Sequence, residues 1–425
     1  MLTESPSLPD ERWPSNETTT LRQWAAVAAV TVGAFAFVTT EFLPMGLLPL
    51  IAHTLNVLPG TAGLMVTIPA IMAAISAPGL MLVAGRMDRR HVFLWLTAML
   101  LASNLLSAFA PNFGIMLVGR ALLGAALGGF WTLATAAAVR LVAPRHAPKA
   151  MAAILSGVTC ATVIGVPLGT FIAGFASWRV SFMVTAGLVA IALLAQFCFV
   201  PSLPSAVALR FSDLTDLLKR SHARRSLLMV ALAFGGHFAS YTYISSFLLG
   251  AAHFDLSMIT WLLLGFGIIG FFSNFVASAT VVRNLKVTTA GMIGLLALSL
   301  LLMPLLHQSH IAVSVILLMW GVAFGAMPLC FSVWIQRATP EHPEAGSALF
   351  VGIIQVAIAA GSFVGGAMVD HVGVSGDFVL GGLMSVCGVI ALASASGRVA
   401  AQASKPASEE ASALNACPAC PACPE

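Results

Sequence analysis

Charged residues are scarce in this chain. Lysine, arginine, aspartate and glutamate together make up 8% of its 425 residues, whereas a soluble domain carries about 25%. So few charges cannot cover the surface of a soluble fold of this length. The composition is equally unlike that of a disordered chain, a nucleic-acid-binding domain or a secreted disulfide scaffold.

Long apolar runs take the place of the missing charges. Hydrophobic residues account for 59% of the chain, and its mean hydropathy is +0.96. Runs of roughly 20 residues without alternation predict membrane-spanning helices and not the strands of a membrane barrel. We predict twelve spans, at 24–50, 62–84, 92–110, 115–138, 148–174, 179–200, 227–251, 257–281, 288–306, 312–335, 344–369 and 374–396.

The basic residues predict the orientation of these spans. If both termini are cytoplasmic, all but Arg120 and Arg179 of the 20 lysines and arginines fall on the cytoplasmic side. This distribution follows the positive-inside rule. The polar first 22 residues do not resemble a cleavable signal, so the first helix is predicted to be a retained anchor.

An internal repeat divides the chain into two halves. A shift of 196 or 197 positions superposes the glycines of the fourth and fifth spans on those of the tenth and eleventh, although glycine-rich membrane helices also align by chance. We predict the following segments: a cytoplasmic N-terminal tail 1–23, a six-helix bundle 24–200, a cytoplasmic linker 201–226, a second six-helix bundle 227–396 and a disordered cytoplasmic tail 397–425.

The loop between the second and third spans contains an acidic residue among arginines. Segment 85–90 reads GRMDRR, and an aspartate at such a junction can cap the next helix and pair across the bundle. A purely topogenic loop needs no acid, so we predict a conformational latch at Asp88, Arg89 and Arg90. The matching loop of the second half has Leu285 instead of aspartate, so the predicted latch is asymmetric.

The fifth span carries a predicted hinge. Gly165 and Gly169 allow close helix contact, and Pro167 between them removes a backbone donor and bends a helix. A bend where the two bundles meet would bias which side opens.

These motifs resemble those of a known family. The Asp88-Arg89-Arg90 loop, the Arg-x-x-x-Gly-x-x-x-Gly of 120–128 and the Gly-x-Pro-x-Gly of 165–169 resemble the signatures of the major facilitator superfamily, in particular its twelve-helix drug:proton antiporter branch. The resemblance implies an all-α membrane protein with twelve transmembrane helices in two pseudo-symmetric six-helix bundles. One departure is the missing glycine after Asp88.

A narrower resemblance bears on the substrate. Segments 38–44, 119–131 and 140–150 are similar to bacterial purine ribonucleoside efflux permeases. This similarity implies an inner-membrane secondary transporter that exports purine nucleosides in exchange for protons. Arabinose-type sugar exporters and multidrug or chloramphenicol exporters share much of the pattern and remain alternatives.

Three ionisable residues are candidates for proton coupling. Glu41 is the one acid placed away from the ends of the first eleven predicted spans, and a lone acid inside a membrane helix favours a functional site over a structural hydrogen bond. The repeat places His237 at the position equivalent to Glu41, although such a histidine is as often a packing residue. We predict that Arg120 pairs with ionised Glu41 and that protonation breaks the pair.

A flat, hydroxyl-rich nucleoside needs aromatic faces and amide or hydroxyl groups. Aromatic residues also form interfacial belts, so about half of any such set serves packing. The predicted substrate-binding residues are Trp131, Tyr241, Tyr243, Asn274, Trp320, Trp334 and Gln355.

Other activities lack the residues they would need. The predicted spans contain no His/Asp metal cluster, Ser/His pair or closely spaced carboxylates, which disfavours a membrane enzyme. The sequence also has no Gly-x-x-x-x-Gly-Lys-Ser/Thr loop, which excludes ATP binding by this chain as the energy source. We expect no cofactor, no metal site, no nucleic-acid partner and a monomer in the lipid bilayer. The tail cysteines Cys417, Cys420 and Cys423 leave a metal-dependent sensor as a minor alternative.

Overall fold

The computed structural model describes residues 19–83, 87–203, 219, 221–339 and 343–403, and over these residues the protein is helical with no strand. The amphipathic part of the linker and the tail cysteines lie outside the described residues. The helices are α1 Leu21–Thr54, α2 Pro59–Ala62, α3 Leu64–Val83, α4 Arg89–Ala108, α5 Phe113–Leu141, α6 Ala147–Phe175, α7 Trp178–Phe199, α8 Ser221–Thr242, α9 Ile244–Gly250, α10 Leu256–Leu302, α11 His310–Ala338, α12 Pro343–His371 and α13 Val374–Ala403.

The helices account for twelve membrane spans. Ten of those described are long and apolar enough to cross a membrane, and α8 with α9 forms a further span bent by 42°. Helix α10 has 47 residues, about 70 Å at 1.5 Å per residue, which is twice what a bilayer needs. It breaks at Asn284, whose backbone is non-helical and whose side chain accepts a hydrogen bond from the Val287 amide. Helix α10 is therefore two spans, and the predicted fold class is confirmed.

Side-chain caps fix where many of the helices begin. An oxygen of the residue before the helix accepts a hydrogen bond from an amide of the first turn, which would otherwise lack a partner. The capping residues are Thr20 for α1, Asp88 for α4, Asn112 for α5, Asp255 for α10 and Ser309 for α11.

Glycines set how closely the helices of the N-terminal half approach one another. A β-carbon added to Gly124 on α5 would lie 2.2 Å from the Pro69 carbonyl oxygen on α3, and one on Gly165 of α6 would lie 3.2 Å from the α-carbon of Thr39 on α1. Backbone-to-backbone approach of this kind is how membrane helices gain packing energy.

The C-terminal half repeats these contacts at the predicted shift. A β-carbon added to Gly321 of α11 would lie 2.8 Å from the Phe266 carbonyl oxygen, as one on Gly124 would meet Pro69. One added to Gly361 of α12 would collide with the Gly235 carbonyl oxygen, as one on Gly165 would crowd Thr39. Both partners of each contact are displaced by 196 or 197 positions, so the internal repeat is a repeat of three-dimensional packing.

We predict that Gly124→Ala destabilises the protein and that Gly187→Ala does not. The added methyl group at position 124 collides with the backbone of α3, whereas nothing lies within 4 Å of the corresponding atom at Gly187. Overpacking of this kind costs about 1–3 kcal/mol. The check is the Tm of the two purified variants in detergent; equal values would contradict the packing argument.

Candidate functional site

A hydrogen-bonded contact joins the two halves at the start of the second span. Helix α2 lacks a side-chain cap of its own, because its N-cap residue is Leu58. Asp370, at the end of α12 in the other half, supplies the cap: one carboxylate oxygen accepts from the Gly60 amide at 2.7 Å and the other from the Thr61 hydroxyl at 3.1 Å. A charged cap at a helix N-terminus is among the stronger hydrogen-bond arrangements.

Tyr243 completes this contact. Its hydroxyl lies 2.8 Å from the Ser362 carbonyl oxygen and 3.2 Å from the Gly60 carbonyl oxygen, and it is fully buried. The sequence predicted Tyr243 as a substrate-binding residue, but the structure places its hydroxyl on two backbone carbonyls of the contact. Gly60, Thr61, Tyr243, Ser362 and Asp370 are called the closure contact below.

The closure contact shuts one particular face of the protein. Because consecutive spans alternate in direction, the α1–α3 connection that holds Gly60 lies on the face opposite the basic α3–α4 loop. Thr170 on α6 and Thr260 on α10 add a hydroxyl–hydroxyl bond of 2.9 Å between the halves near the same face. The structure is thus closed on the face away from the basic loops.

The predicted proton site lies at the interface of the two halves. Glu41, near the middle of α1, is 9% exposed, and its side chain interacts with the Gln355 amide of α12. The carbonyl oxygen of the Gln355 side chain is buried without a hydrogen-bond partner. One predicted proton residue and one predicted substrate residue therefore meet across the interface.

The predicted ion pair between Arg120 and Glu41 is absent from the described structure. Arg120 is fully buried and donates to the Thr40 carbonyl at 2.9 Å and to the Ser107 hydroxyl at 3.3 Å. Its guanidinium also lies 5.1 Å from the centre of the Phe182 ring. Successive residues of a helix point about 100° apart, so Arg120 holds the backbone beside Glu41 while the Glu41 side chain turns to the other half.

His237 is part of an aromatic cluster in the C-terminal half. Its Nδ1 accepts a hydrogen bond of 2.9 Å from the Trp320 indole, and its ring stacks on Phe324 with centroids 3.6 Å apart and on Tyr241 at 5.0 Å. The other ring nitrogen, Nε2, is buried without a partner. Trp320 and Tyr241, both predicted substrate residues, thus surround a predicted proton residue.

Glu41 and His237 do not contact each other in the described structure, although their chain neighbours do. Phe42 and Phe238, the residues that follow them, stack across the interface at 6.1 Å. These two phenylalanines are themselves related by the repeat, so the pseudo-twofold axis passes close to the predicted proton site.

The remaining predicted substrate residues occupy different environments. The Trp334 indole donates to the Ser226 hydroxyl at 3.1 Å in the core of the C-terminal half, which makes it a packing residue here. Trp131 is half-buried beside Phe130, and Asn274 is half-buried on the first arm of α10. The structure does not bring these three residues to Glu41 and Gln355.

The predicted latch caps a helix but binds within its own half. One carboxylate oxygen of Asp88 accepts from the Arg90 amide at 2.8 Å and the Leu203 amide at 2.9 Å, and the other accepts from the Ser202 hydroxyl. The Arg90 guanidinium donates to the Phe197 carbonyl at 2.7 Å, and the Arg89 amide donates to the Leu203 carbonyl at 2.9 Å. Burial works to raise the pKa of Asp88, but these hydrogen bonds hold it below its ordinary value.

The predicted hinge lies where the halves touch. Pro167 has no amide hydrogen, so the Val163 carbonyl one turn earlier receives no helical hydrogen bond. At that point a β-carbon on Gly267 of α10 would lie 3.0 Å from the Val163 oxygen. Gly169 lies against Leu43 of α1, so this part of α6 contacts both its own bundle and the other.

Sequence reasoning missed Asp370, the residue on which the closure contact depends. It lies one position beyond the predicted end of the eleventh span, where an acid is unremarkable. Pro59 is typical of the first position of a helix, but Leu58 before it has no side-chain oxygen that could cap that helix. This combination was the signal in the sequence that another part of the chain supplies the cap.

Two helix bundles that touch at one closed face, with a buried ionisable group between them, are typical of a membrane transporter that alternates between two open faces. The comparison with protein families agrees: the Major Facilitator Superfamily model matches residues 30–351, and the chain belongs to that superfamily. Among curated relatives, the purine ribonucleoside efflux pump NepI of Salmonella paratyphi B is 34% identical over 371 residues, which is 87% of this chain and 94% of that protein. The NepI pump of Salmonella enteritidis PT4 is likewise 34% identical, over 87% of this chain and 93% of its own.

Solved structures share the fold at low sequence identity. The bacterial homologue of the human lysosomal transporter Spinster, in an inward-facing and unoccupied conformation, superposes with a TM-score of 0.68 at 13% identity, covering 89% of this chain and 96% of that chain. The D-xylose-proton symporter gives 0.68 at 16% identity over 87% of this chain and 97% of its own. These two matches support the fold alone.

We predict that Asp370→Ala opens the closed face. The substitution leaves the Gly60 amide and the Thr61 hydroxyl without partners, which costs about 1–3 kcal/mol in the closed state. The measurement is the distance between spin labels at Leu58 and Val372, which are exposed on the two sides of the contact. The population of short distances should fall.

Asp255→Ala is the matched control, because Asp255 caps α10 within its own half. An unchanged distance distribution in Asp370→Ala, or an equal change in Asp255→Ala, would contradict a specific role for the closure contact.

Proposed function

We propose that this protein exports purine ribonucleosides from the cytoplasm in exchange for protons. It resides in the inner membrane, with both termini cytoplasmic. The proposal is supported by the NepI relatives, whose similarity extends over nearly the whole length of both chains. The single observation that carries the mechanism is the meeting of Glu41 with Gln355 between the two bundles.

Protonation of Glu41 changes the hydrogen bonds available at this meeting point. An ionised carboxylate only accepts, so it uses the amide hydrogens of Gln355 and leaves the amide oxygen unpaired, as in the structure. A protonated Glu41 can donate to that oxygen and make a second bond between the halves. Proton binding at Glu41 therefore strengthens the contact between the bundles.

A purine nucleoside competes for the same amide. The six-membered ring of inosine or guanosine presents a carbonyl acceptor next to an N–H donor, and a glutamine amide can pair with both at once. Phe42 and Phe238, which stack across the interface beside this pair, offer the apolar faces on which a base can lie. Stacking of a base on an aromatic ring contributes about 1–3 kcal/mol.

Competition between proton and nucleoside gives exchange. On the cytoplasmic side the nucleoside displaces Glu41 from Gln355, and the carboxyl group releases its proton. When the opposite face opens, a proton binds Glu41, restores the Glu41–Gln355 bonds and expels the nucleoside. Arg120 and Thr40 hold the α1 backbone beside Glu41 during this cycle.

We predict that Glu41→Gln separates nucleoside movement from proton movement. In proteoliposomes with a pH-sensitive dye, inosine should drive proton flux through the native protein and no flux through the variant. Exchange of labelled inosine for unlabelled inosine should persist in Glu41→Gln, because that exchange needs no proton. Gln355→Leu should raise the inosine concentration for half-maximal exchange about tenfold, since one paired amide contributes about 1–1.5 kcal/mol.

Asn274→Leu is the control for Gln355→Leu, because Asn274 is a half-buried amide outside the site. Proton flux with arabinose or chloramphenicol but not inosine would overturn the substrate. Unchanged proton flux in Glu41→Gln would overturn the proton site.

A further inference from the structure

The last span contains a buried acid that the cycle above does not use. Asp377 lies in the first turn of α13, its side chain is fully buried, and neither carboxyl oxygen has a hydrogen-bond partner. Burying an unpaired ionised carboxylate is strongly unfavourable. The N-terminal end of a helix offsets only part of this cost. Burial of Asp377 therefore favours its neutral, protonated form.

The internal repeat shows what a protonated Asp377 can do. Ser181 occupies the equivalent position in the N-terminal half, and its hydroxyl donates to the Gly169 carbonyl at 2.9 Å. In the C-terminal half the equivalent glycine is Gly365, and Asp377 lies against it: a β-carbon there would be 2.7 Å from a carboxyl oxygen of Asp377. A protonated Asp377 has an O–H group that can donate a hydrogen bond at Gly365, as the Ser181 hydroxyl donates to the Gly169 carbonyl in the other half. An ionised Asp377 has no hydrogen to donate.

A basic residue does reach α13, but far from Asp377: Arg225 of α8 donates to the Ser394 carbonyl, 17 positions along the helix. Tyr243, at the α8–α9 junction, interacts electrostatically with both Asp377 and Asp370, the latter on α12. Helix α8 faces α13 through Gly236 and Ser240, while its His237 points to Trp320.

The second arm of α10 also packs on α13, and it carries no acidic, basic or histidine residue from position 288 to 302. His371, at the end of α12, is exposed. The described residues around Asp377 thus include a second acid, Asp370, which disfavours a negative charge, and a phenol, Tyr243, whose O–H is directed to backbone carbonyls of the closure contact.

We propose that Asp377 is a second proton-binding site, separate from Glu41, and that it takes up a proton from the far side of the membrane before the closure contact forms. Tyr243 connects the two, because it belongs to the closure contact and shares the environment of Asp377. When that face opens, water reaches Asp377 and the group ionises. When the face closes, Asp377 is buried and must carry a proton.

The sign of the effect follows from the proton count. The closed state holds one more proton at Asp377 than the open state, so lowering the pH favours closure. The ratio of closed to open protein changes by up to about tenfold per pH unit where only the closed state is protonated. The pH dependence of closure does not involve a nucleoside, so it can be tested whatever the transported substrate is.

The test uses spin labels at Leu58 and Val372 in the full chain with the native cysteines replaced, in the Glu41→Gln background so that Glu41 does not titrate. We expect the population of short distances to decrease as the pH rises from about 5 to about 8. Asp377→Asn, a neutral isostere, should hold the short-distance population constant over this range. If Asp377→Asn fails to fold, Asp377→Ser takes its place, because serine is the residue at the equivalent position 181 of the other half. The short-distance population of Asp377→Ser should likewise be independent of pH.

Asp255→Asn is the matched control, since it neutralises an exposed acid on the same face and should keep the pH dependence. The proposal is overturned if the distances are independent of pH with Asp377 present. It is equally overturned if the same pH dependence persists in Asp377→Asn or Asp377→Ser.

Discussion

The Asp370 carboxylate accepts two hydrogen bonds from the start of α2, and these bonds connect the two bundles on the closed face of the protein. The carboxylate comes from one bundle and caps a helix of the other, so the cap exists only while the bundles touch. A cap of this kind contributes about 1–2 kcal/mol, a magnitude that substrate or proton binding can match. The cap, the Tyr243 hydroxyl and the Thr170–Thr260 bond are a small set of hydrogen bonds, and a closure of this strength is weak enough to open.

Buried polar atoms without partners occur both within one half and beside the contacts between the halves. Asp88 at the start of α4 is well bonded, whereas Asn104 Oδ1 and the Gln196 amide nitrogen are unpaired within the N-terminal half. The buried atoms without partners include the Gln355 oxygen, His237 Nε2 and both Asp377 oxygens. Gln355 and Asp377 lie beside contacts between the halves, where an atom unpaired in one state can find a partner in another. Gln355 and Asp377 are therefore the unpaired groups that we expect to change partners as the bundles move.

Much of the fold was predictable because hydrophobic length and glycine spacing are local properties of the chain. Twelve spans, the internal repeat and the cap at Asp88 follow from such patterns. The partners of Arg120 did not, because the direction of a side chain on a helix depends on rotation and tilt, and the next residue along α1 faces a different helix. The role of Asp370 was not predicted for a similar reason, because it depends on Gly60, which is 310 positions away in the chain.

The face held by Asp370 has to open in every transport cycle if the substrate is to leave on that side. The most direct measurement joins the two sides covalently, with cysteines at Thr61 and Asp370, whose side chains meet at 3.1 Å, in a background without other cysteines. Oxidation should stop inosine transport in proteoliposomes, and a reductant should restore it. Transport at the unmodified rate with the disulfide formed would show that this face need not open.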